Sequence, residues 1–74
     1  MRLKDLREDN DLTQEQIAII LNCGRNTYSQ YENEKRQIPL SALITLSRFY
    51  KTSVDYIIGE TDEIKPYKRS DVNK

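Results

Sequence analysis

Residues 12–36, LTQEQIAIILNCGRNTYSQYENEKR, decide the fold of this chain, because they predict two short helices joined by a tight turn. The hydroxyl of Thr13 can serve as the N-cap of the first helix. Gln16, three residues later, is placed to complete a capping box with it. Asn22 is expected to end the first helix, since asparagine tolerates the left-handed conformation better than most residues. Residues 23 and 24 make a turn too short for parallel packing, so the two helices should cross steeply.

The second helix of this stretch, about residues 25–33, carries polar side chains along one face. At about 100° per residue, a continuous polar arc collects five of them: Arg25, Asn26, Ser29, Gln30 and Asn33. Arginine, asparagine and glutamine can make paired hydrogen bonds to base edges in a major groove. A solvated surface helix also shows a polar face, so the arc by itself leaves both readings open.

The whole pattern resembles the phage-repressor and Cro-like helix-turn-helix family, also called the XRE family. The resemblance covers about residues 1–59 and rests on LTQ at 12–14, Ala18, YEN-x-KR at 31–36 and VDYIIG at 54–59. It implies an all-α, lambda-repressor-like domain of five helices that binds double-stranded DNA. Asn22 and Glu34 stand where the family usually has glycine, and Glu34 adds a negative charge beside the expected phosphate path.

The resemblance also implies roles for individual side chains. The expected base readers lie on the second motif helix. They are Arg25, Asn26 and Gln30, assisted by Thr27 and Ser29. The expected phosphate contacts lie at its end, in the loop after it, and at the start of the preceding helix: Asn33, Lys35, Arg36 and Gln14. Without the resemblance, Lys35 and Arg36 could equally be solubilising charges. Arg7 and Glu32 are expected to form a structural ion pair, although two unrelated surface charges are the alternative.

Three further helices are predicted outside the motif. The first covers about residues 1–10 and turns Leu3 and Leu6 inward, while Pro39 suits the first turn of the next. Apolar side chains form a stripe along that helix: Leu40, Leu43, Leu46 and Tyr50, flanked by Ile44 and Phe49. Ser53 should cap a last short helix that Gly59 ends. The core is expected to be closed by Val54, Ile57 and Ile58.

The chain divides into a helical domain, residues 1–59, and a polar tail, residues 60–74. The tail contains a proline and few large apolar residues, so it should be flexible or ordered by a partner. Ile64 and Tyr67 are its two candidate anchors. Large side chains left exposed near the end of the domain would be candidate dimer contacts: Phe49, Tyr56 and Ile58.

Composition restricts the function further. Twelve basic and twelve acidic residues cancel, which disfavours a protein that coats nucleic acid through charge alone. The single cysteine, Cys23, cannot form an internal disulfide and fits a reducing cytoplasm. The charged residues 1–11 do not look like a signal peptide, and no apolar run approaches the roughly 20 residues that span a bilayer.

The sequence offers no support for an enzyme, because it has no histidine, no glycine-rich phosphate loop and no metal-ligand cluster. No cofactor, metal or small-molecule ligand is therefore expected. The main alternative is a protein-binding adaptor with the same helical fold, which the neutral charge and Glu34 favour slightly. An adaptor face should show aromatic or aliphatic anchors where this chain has asparagine and glutamine. The sequence thus favours a homodimeric, sequence-specific transcriptional regulator, a repressor above all, acting on a palindromic operator.

Overall fold

A computed structural model describes residues 1–65, and within this range the chain forms α-helices and no strand. The five helices are α1 (Leu3–Asp9), α2 (Gln14–Leu21), α3 (Arg25–Glu32), α4 (Leu40–Phe49) and α5 (Val54–Ile58). Helix α2 packs against α3 and α4, and α4 packs against α5. The predicted all-α architecture and its helix order are confirmed.

Local signals in the sequence define where α2 and α5 begin. The Thr13 hydroxyl accepts a hydrogen bond from the Gln16 backbone N–H at 3.1 Å, and the Gln16 side chain accepts one from the Thr13 N–H at 2.8 Å. This capping box was expected from residue types and spacing alone. Ser53 caps α5 in the same way by accepting from the Tyr56 N–H at 3.0 Å. Pro39 lies one position earlier than predicted, as the residue that precedes α4.

All five helices end on one backbone pattern, in which a residue with positive φ turns the chain back onto the last helical turn. The five residues are Asp11 (φ 56°), Asn22 (56°), Glu34 (58°), Lys51 (56°) and Gly59 (91°). After α3, for example, the Glu34 N–H donates to the Tyr31 carbonyl at 3.2 Å and the Lys35 N–H to the Gln30 carbonyl at 2.9 Å. These are the two bonds of a Schellman motif. The expected left-handed Asn22 is confirmed.

One hydrophobic core draws on every helix and on the loop before α4. Its buried members are Leu3, Leu6, Ile17, Ala18, Tyr28, Tyr31, Ile38, Leu43, Leu46 and Ile57. Four of these have no exposed surface at all: Ile17, Tyr28, Leu46 and Ile57. Because the set joins α1 to the two motif helices, the orientation of α3 is fixed by the same core that holds the domain together.

Two side chains expected in the core lie outside it. Ile58 is 37% exposed, because it neighbours Ile57 on a five-residue helix and the two point about 100° apart. Leu40 is 64% exposed, since it lies roughly 90° around α4 from the arc that Leu43 and Leu46 bury. Both residues were expected in the core because they are apolar and suitably spaced. Their angular positions relative to the buried residues of the same helix place them outside it.

The predicted polar tail lies only partly within the described range. Within residues 60–65, the contacts to the domain are hydrogen bonds of Glu60, Thr61, Asp62 and Ile64, and Ile64 is half exposed. Residues 66–74, with the second candidate anchor Tyr67, lie outside the described residues. Among residues 1–65 no helix has the length and apolar character needed to cross a bilayer.

Candidate nucleic-acid interface

Helix α3 is attached to the domain by two tyrosines. The Tyr28 side chain is completely buried and Tyr31 is 8% exposed. Their rings meet edge to face, with centroids 6.5 Å apart and an angle of 87° between the planes. Buried aromatic side chains in such a pair resist rotation of the helix about its axis, so the opposite side of α3 faces outward in one defined orientation.

The outward side of α3 carries side chains that are free to bind a partner. Arg25, Asn26 and Gln30 are exposed, and their side chains make no hydrogen bond within residues 1–65. Thr27 and Ser29 are half-buried. All five expected base readers therefore lie on one helix, but only Arg25, Asn26 and Gln30 are fully exposed to solvent.

Behind α3 lies a polar cluster centred on Glu32. Arg7 on α1 donates to the two Glu32 oxygens, from Nε at 2.6 Å and from a terminal nitrogen at 3.2 Å. Gln14 on α2 donates to the same carboxylate at 3.1 Å, and Arg7 also donates to the Leu12 carbonyl at 2.9 Å. The side chains of Glu32 and Arg7 are only 2% and 13% exposed. Glu32 thereby connects the end of α3 to both preceding helices.

The ionisation of this cluster follows from its geometry. Burial opposes the charge on Glu32, but the hydrogen bonds from Arg7 and Gln14, together with the positive charge of Arg7, outweigh it and lower the pKa of Glu32. The bond to Glu32 raises the pKa of Arg7. Both members are thus held in their charged forms, as a paired buried site requires.

Two tyrosine hydroxyls complete the surroundings of Glu32. Those of Tyr28 and Tyr50 are buried, and neither has a hydrogen-bond partner in the part of the chain described. Burial, with the Glu32 charge as a smaller cause, raises the pKa of Tyr50 to about 12 and that of Tyr28 well above its usual value. Sequence reasoning placed both tyrosines by their apolar rings and missed this polar grouping, because only the folded arrangement of the helices brings Tyr50, at the end of α4, near Glu32.

Gln14 was expected to contact a phosphate, but its side chain is hydrogen-bonded inside the domain. Its amide nitrogen faces inward to Glu32, while the start of α2 borders an open hollow of about 450 Å³. The hollow is lined by Arg7, Leu12, Thr13, Gln14, Glu15 and Arg25. Arg25 from α3 therefore shares one recess with the N–H groups at the start of α2.

The loop after α3 holds two of the expected phosphate contacts in place. The Gln30 carbonyl accepts backbone hydrogen bonds from Lys35 at 2.9 Å and Arg36 at 3.3 Å. Both cationic side chains are exposed. Ile38 is buried and anchors the far end of the loop in the core. The carboxylate of Glu34 lies among these cations, 3.4 Å from the Met1 amino nitrogen.

Helix α2, the turn at residues 22–24 and helix α3 together form a helix-turn-helix motif. Proteins built on this pair of helices are the helix-turn-helix class. A family model described as helix-turn-helix matches residues 3–57. The chain belongs to this family, as the resemblance to XRE-type proteins predicted.

Similar proteins carry names from the same class. The chain is 43% identical to the HTH-type transcriptional regulator YobD of Bacillus subtilis over 65 residues, which is 88% of this chain and 58% of that protein. It is 37% identical to the regulator ImmR of the same species over 71 residues, covering 96% and 55% of the two chains. The RstR transcriptional repressor of the cryptic phage CTXphi in Vibrio cholerae is 30% identical over 61 residues, covering 82% and 55%. This chain thus spans little more than half of each relative, and no solved structure matches it.

Proposed function

We propose that this chain is a sequence-specific DNA-binding transcriptional regulator whose helix α3 enters the major groove. The observation that carries the proposal is the outward face of α3. The side chains of Arg25, Asn26 and Gln30 are exposed there and make no hydrogen bond with any residue from 1 to 65, while Tyr28 and Glu32 fix the helix from behind. Unpaired side chains on a rigidly held helix match the requirement for direct base readout.

The side-chain types suggest which bases are contacted. An arginine fork pairs best with the O6 and N7 acceptors of guanine, and the amides of asparagine and glutamine pair with the N6 and N7 groups of adenine. Arg25 is therefore assigned to a guanine, and Asn26 and Gln30 to adenines. Thr27 and Ser29, which are half-buried, assist by contact with a thymine methyl group or a neighbouring DNA backbone group. Each good bidentate pair discriminates against a wrong base by about 1–3 kcal/mol.

Phosphate groups are assigned to the two ends of the motif. At one end, the N–H groups that begin α2 and the side chain of Gln14 approach a phosphate. A carboxamide nitrogen has two N–H donors, so Gln14 can keep its bond to Glu32 and offer the second donor outward. At the other end, phosphates of the DNA backbone are contacted by the side chains of Asn33, Lys35 and Arg36. A local group of cations is sufficient here even though the whole chain has no net charge.

The active species is proposed to be a homodimer that represses transcription from a palindromic operator. Two copies would place their α3 helices about 34 Å apart, one turn of duplex, and so read two half-sites of opposite orientation. Support for repression comes from the similarity to the RstR repressor, which shares the helix-turn-helix region. A regulator of this kind works in the cytoplasm, which suits a chain with one unpaired cysteine, Cys23.

Selection of bound duplexes from a random DNA pool tests the proposal. The expected winner is a palindrome, with guanine and adenine in each half, that binds at least about a thousandfold more tightly than random duplex at physiological salt. Absence of enrichment, with only weak and salt-sensitive binding, would refute sequence-specific recognition. The helical domain would then be better explained as a protein-binding adaptor.

A further inference from the structure

Arg2 binds the segment that follows the last helix through several contacts at once. Its guanidinium donates to the carbonyls of Tyr56 at 2.6 Å and Thr61 at 2.8 Å, and to the Asp62 carboxylate at 2.6 Å. The guanidinium carbon lies 4.2 Å from the centre of the Tyr56 ring. The Arg2 backbone N–H also donates to the Ile57 carbonyl at 2.7 Å. One residue at the start of α1 thus joins the end of α5 to the chain beyond it.

The same segment is attached at two further points. The Glu60 N–H donates to the Asp55 carbonyl at 2.8 Å, which completes the C-terminal turn of α5. Farther along, the hydroxyl of the buried Thr52 donates to the Ile64 carbonyl. Residues 60–64 are therefore held at their beginning by α5, in their middle by Arg2 and at their end by the turn that precedes α5.

The contribution of Arg2 depends on the shape of its guanidinium. Asp62 is 99% exposed at its side chain, and an ion pair to such a group contributes little in water. The two carbonyl bonds and the stacking on Tyr56 are more sheltered, since only 24% of the Arg2 side chain is exposed. A planar fork can serve two carbonyls and an aromatic face together, whereas a lysine ammonium is a single point charge without that geometry.

We propose that Arg2 anchors residues 61–64 to the helical domain and so makes them a fixed extension of it. The unit that folds together then continues past Gly59, the expected boundary with the polar tail, as far as Ile64. The anchor involves α1, α5 and residues 61–64 alone and does not depend on DNA binding.

Backbone 15N relaxation of the full chain tests this anchor directly. In the wild type, the order parameters of Thr61–Ile64 should match those of the helices, about 0.85, and in Arg2→Gln they should fall below about 0.6. Arg2→Lys should give the same fall although it keeps the charge. Asp62→Asn should change little, because it leaves the carbonyl bonds and the ring contact in place. Arg48→Gln is the matched control, since the Arg48 side chain is exposed and makes no hydrogen bond or ion pair within residues 1–65.

The proposal fails if residues 61–64 are already mobile in the wild type, or if they stay ordered in both Arg2 variants. Dispersion of the helix amide signals in the same spectra shows whether each variant is folded. Should Arg2→Gln unfold the domain, Arg2→Lys and Asp62→Asn still decide the question, because they separate the forked bonds from the exposed charge. Retained DNA affinity in a variant with a loosened segment would show that the anchor and the DNA-binding surface are independent.

Discussion

The end of α3 offers a perturbation whose effects on stability and on DNA binding can be separated. Glu34 has a φ of 58° and makes the two-bond turn that ends the helix. The left-handed conformation costs a residue with a Cβ about 1–2 kcal/mol, whereas glycine adopts it freely but loses about 0.5–1 kcal/mol more conformational entropy on folding. Glu34→Gly should therefore stabilise the domain by about 0.5–1 kcal/mol. The lost contact with the Met1 amine subtracts little, because the Glu34 side chain is 65% exposed.

For a domain of this size, that gain corresponds to a rise in Tm of about 2–8 °C, which thermal unfolding followed by circular dichroism measures easily. Lys51→Gly is the matched control, because Lys51 has a φ of 56° at the end of α4, outside the helix-turn-helix. Both variants should melt higher than the wild type. Only Glu34→Gly removes a negative charge beside Lys35 and Arg36, so only this variant should bind DNA more tightly, and equally so for specific and random duplexes.

Melting of both Lys51→Gly and Glu34→Gly at or below the wild-type temperature would show that the positive φ of these residues carries no strain that glycine relieves. A higher melting temperature for Glu34→Gly combined with weaker DNA binding would instead refute the placement of residues 34–36 along a phosphate path.

Three further predictions concern the buried cluster and the loop. Glu32→Gln should destabilise the domain by about 3 kcal/mol at pH 7 by breaking a buried pair. Because the pKa of Glu32 is lowered in the folded state, its stabilising effect is present above pH 4.5 and is lost on acidification. The difference in free energy of unfolding between wild type and variant, measured with urea, should therefore shrink towards pH 3. An undiminished difference would contradict this. Tyr50→Phe should leave stability unchanged or raise it by up to about 1 kcal/mol, because the buried hydroxyl has no partner within residues 1–65, and a clear loss in denaturant titrations would reveal a hidden bond. Lys35→Ala should weaken binding to all duplexes alike and reduce the salt slope by about 1; a loss confined to one sequence would make Lys35 a base reader.

Local chemistry made most of the fold predictable. Thr13 with Gln16, and Ser53, define helix starts through hydrogen bonds between residues three apart. Asn22 marks a helix end through its own backbone preference. Such signals need no knowledge of the rest of the chain, which explains why the order and type of the helices could be predicted.

Features that depend on how helices pack were less accessible. Ile58 and Leu40 are apolar and suitably spaced, yet the rotation of α5 and α4 about their axes leaves both exposed. The inward bond from Gln14 to Glu32 joins residues 18 apart in sequence. No periodicity encodes either outcome, since each depends on the relative positions of helices.

The polar face of α3 was predictable as a surface, because helical periodicity separates it from Tyr28 and Tyr31. Its fixed orientation was predictable only in part. The family resemblance implied the pair between Arg7 and Glu32, but the bond from Gln14 to the same carboxylate could not be predicted, because it depends on how α2 packs against α3. The Arg2 contacts to residues 61 and 62 were also inaccessible to sequence reasoning, as they join the two ends of the described chain.

If the exposed face of α3 reads bases, Asn26 on that face should contribute to the affinity for the selected duplex and not for random duplex. The measurement compares the affinities of wild type, Asn26→Ala and Asn33→Ala for the selected duplex and for a random one, by fluorescence anisotropy at one fixed salt concentration. Asn33 provides the matched change, because it is also exposed but is assigned to the DNA backbone. Asn26→Ala should lose about 1–3 kcal/mol of binding free energy, roughly 5- to 150-fold in affinity, on the selected duplex alone, while Asn33→Ala should weaken binding to both duplexes alike. Equal losses on both duplexes for Asn26→Ala would contradict base reading by this helix.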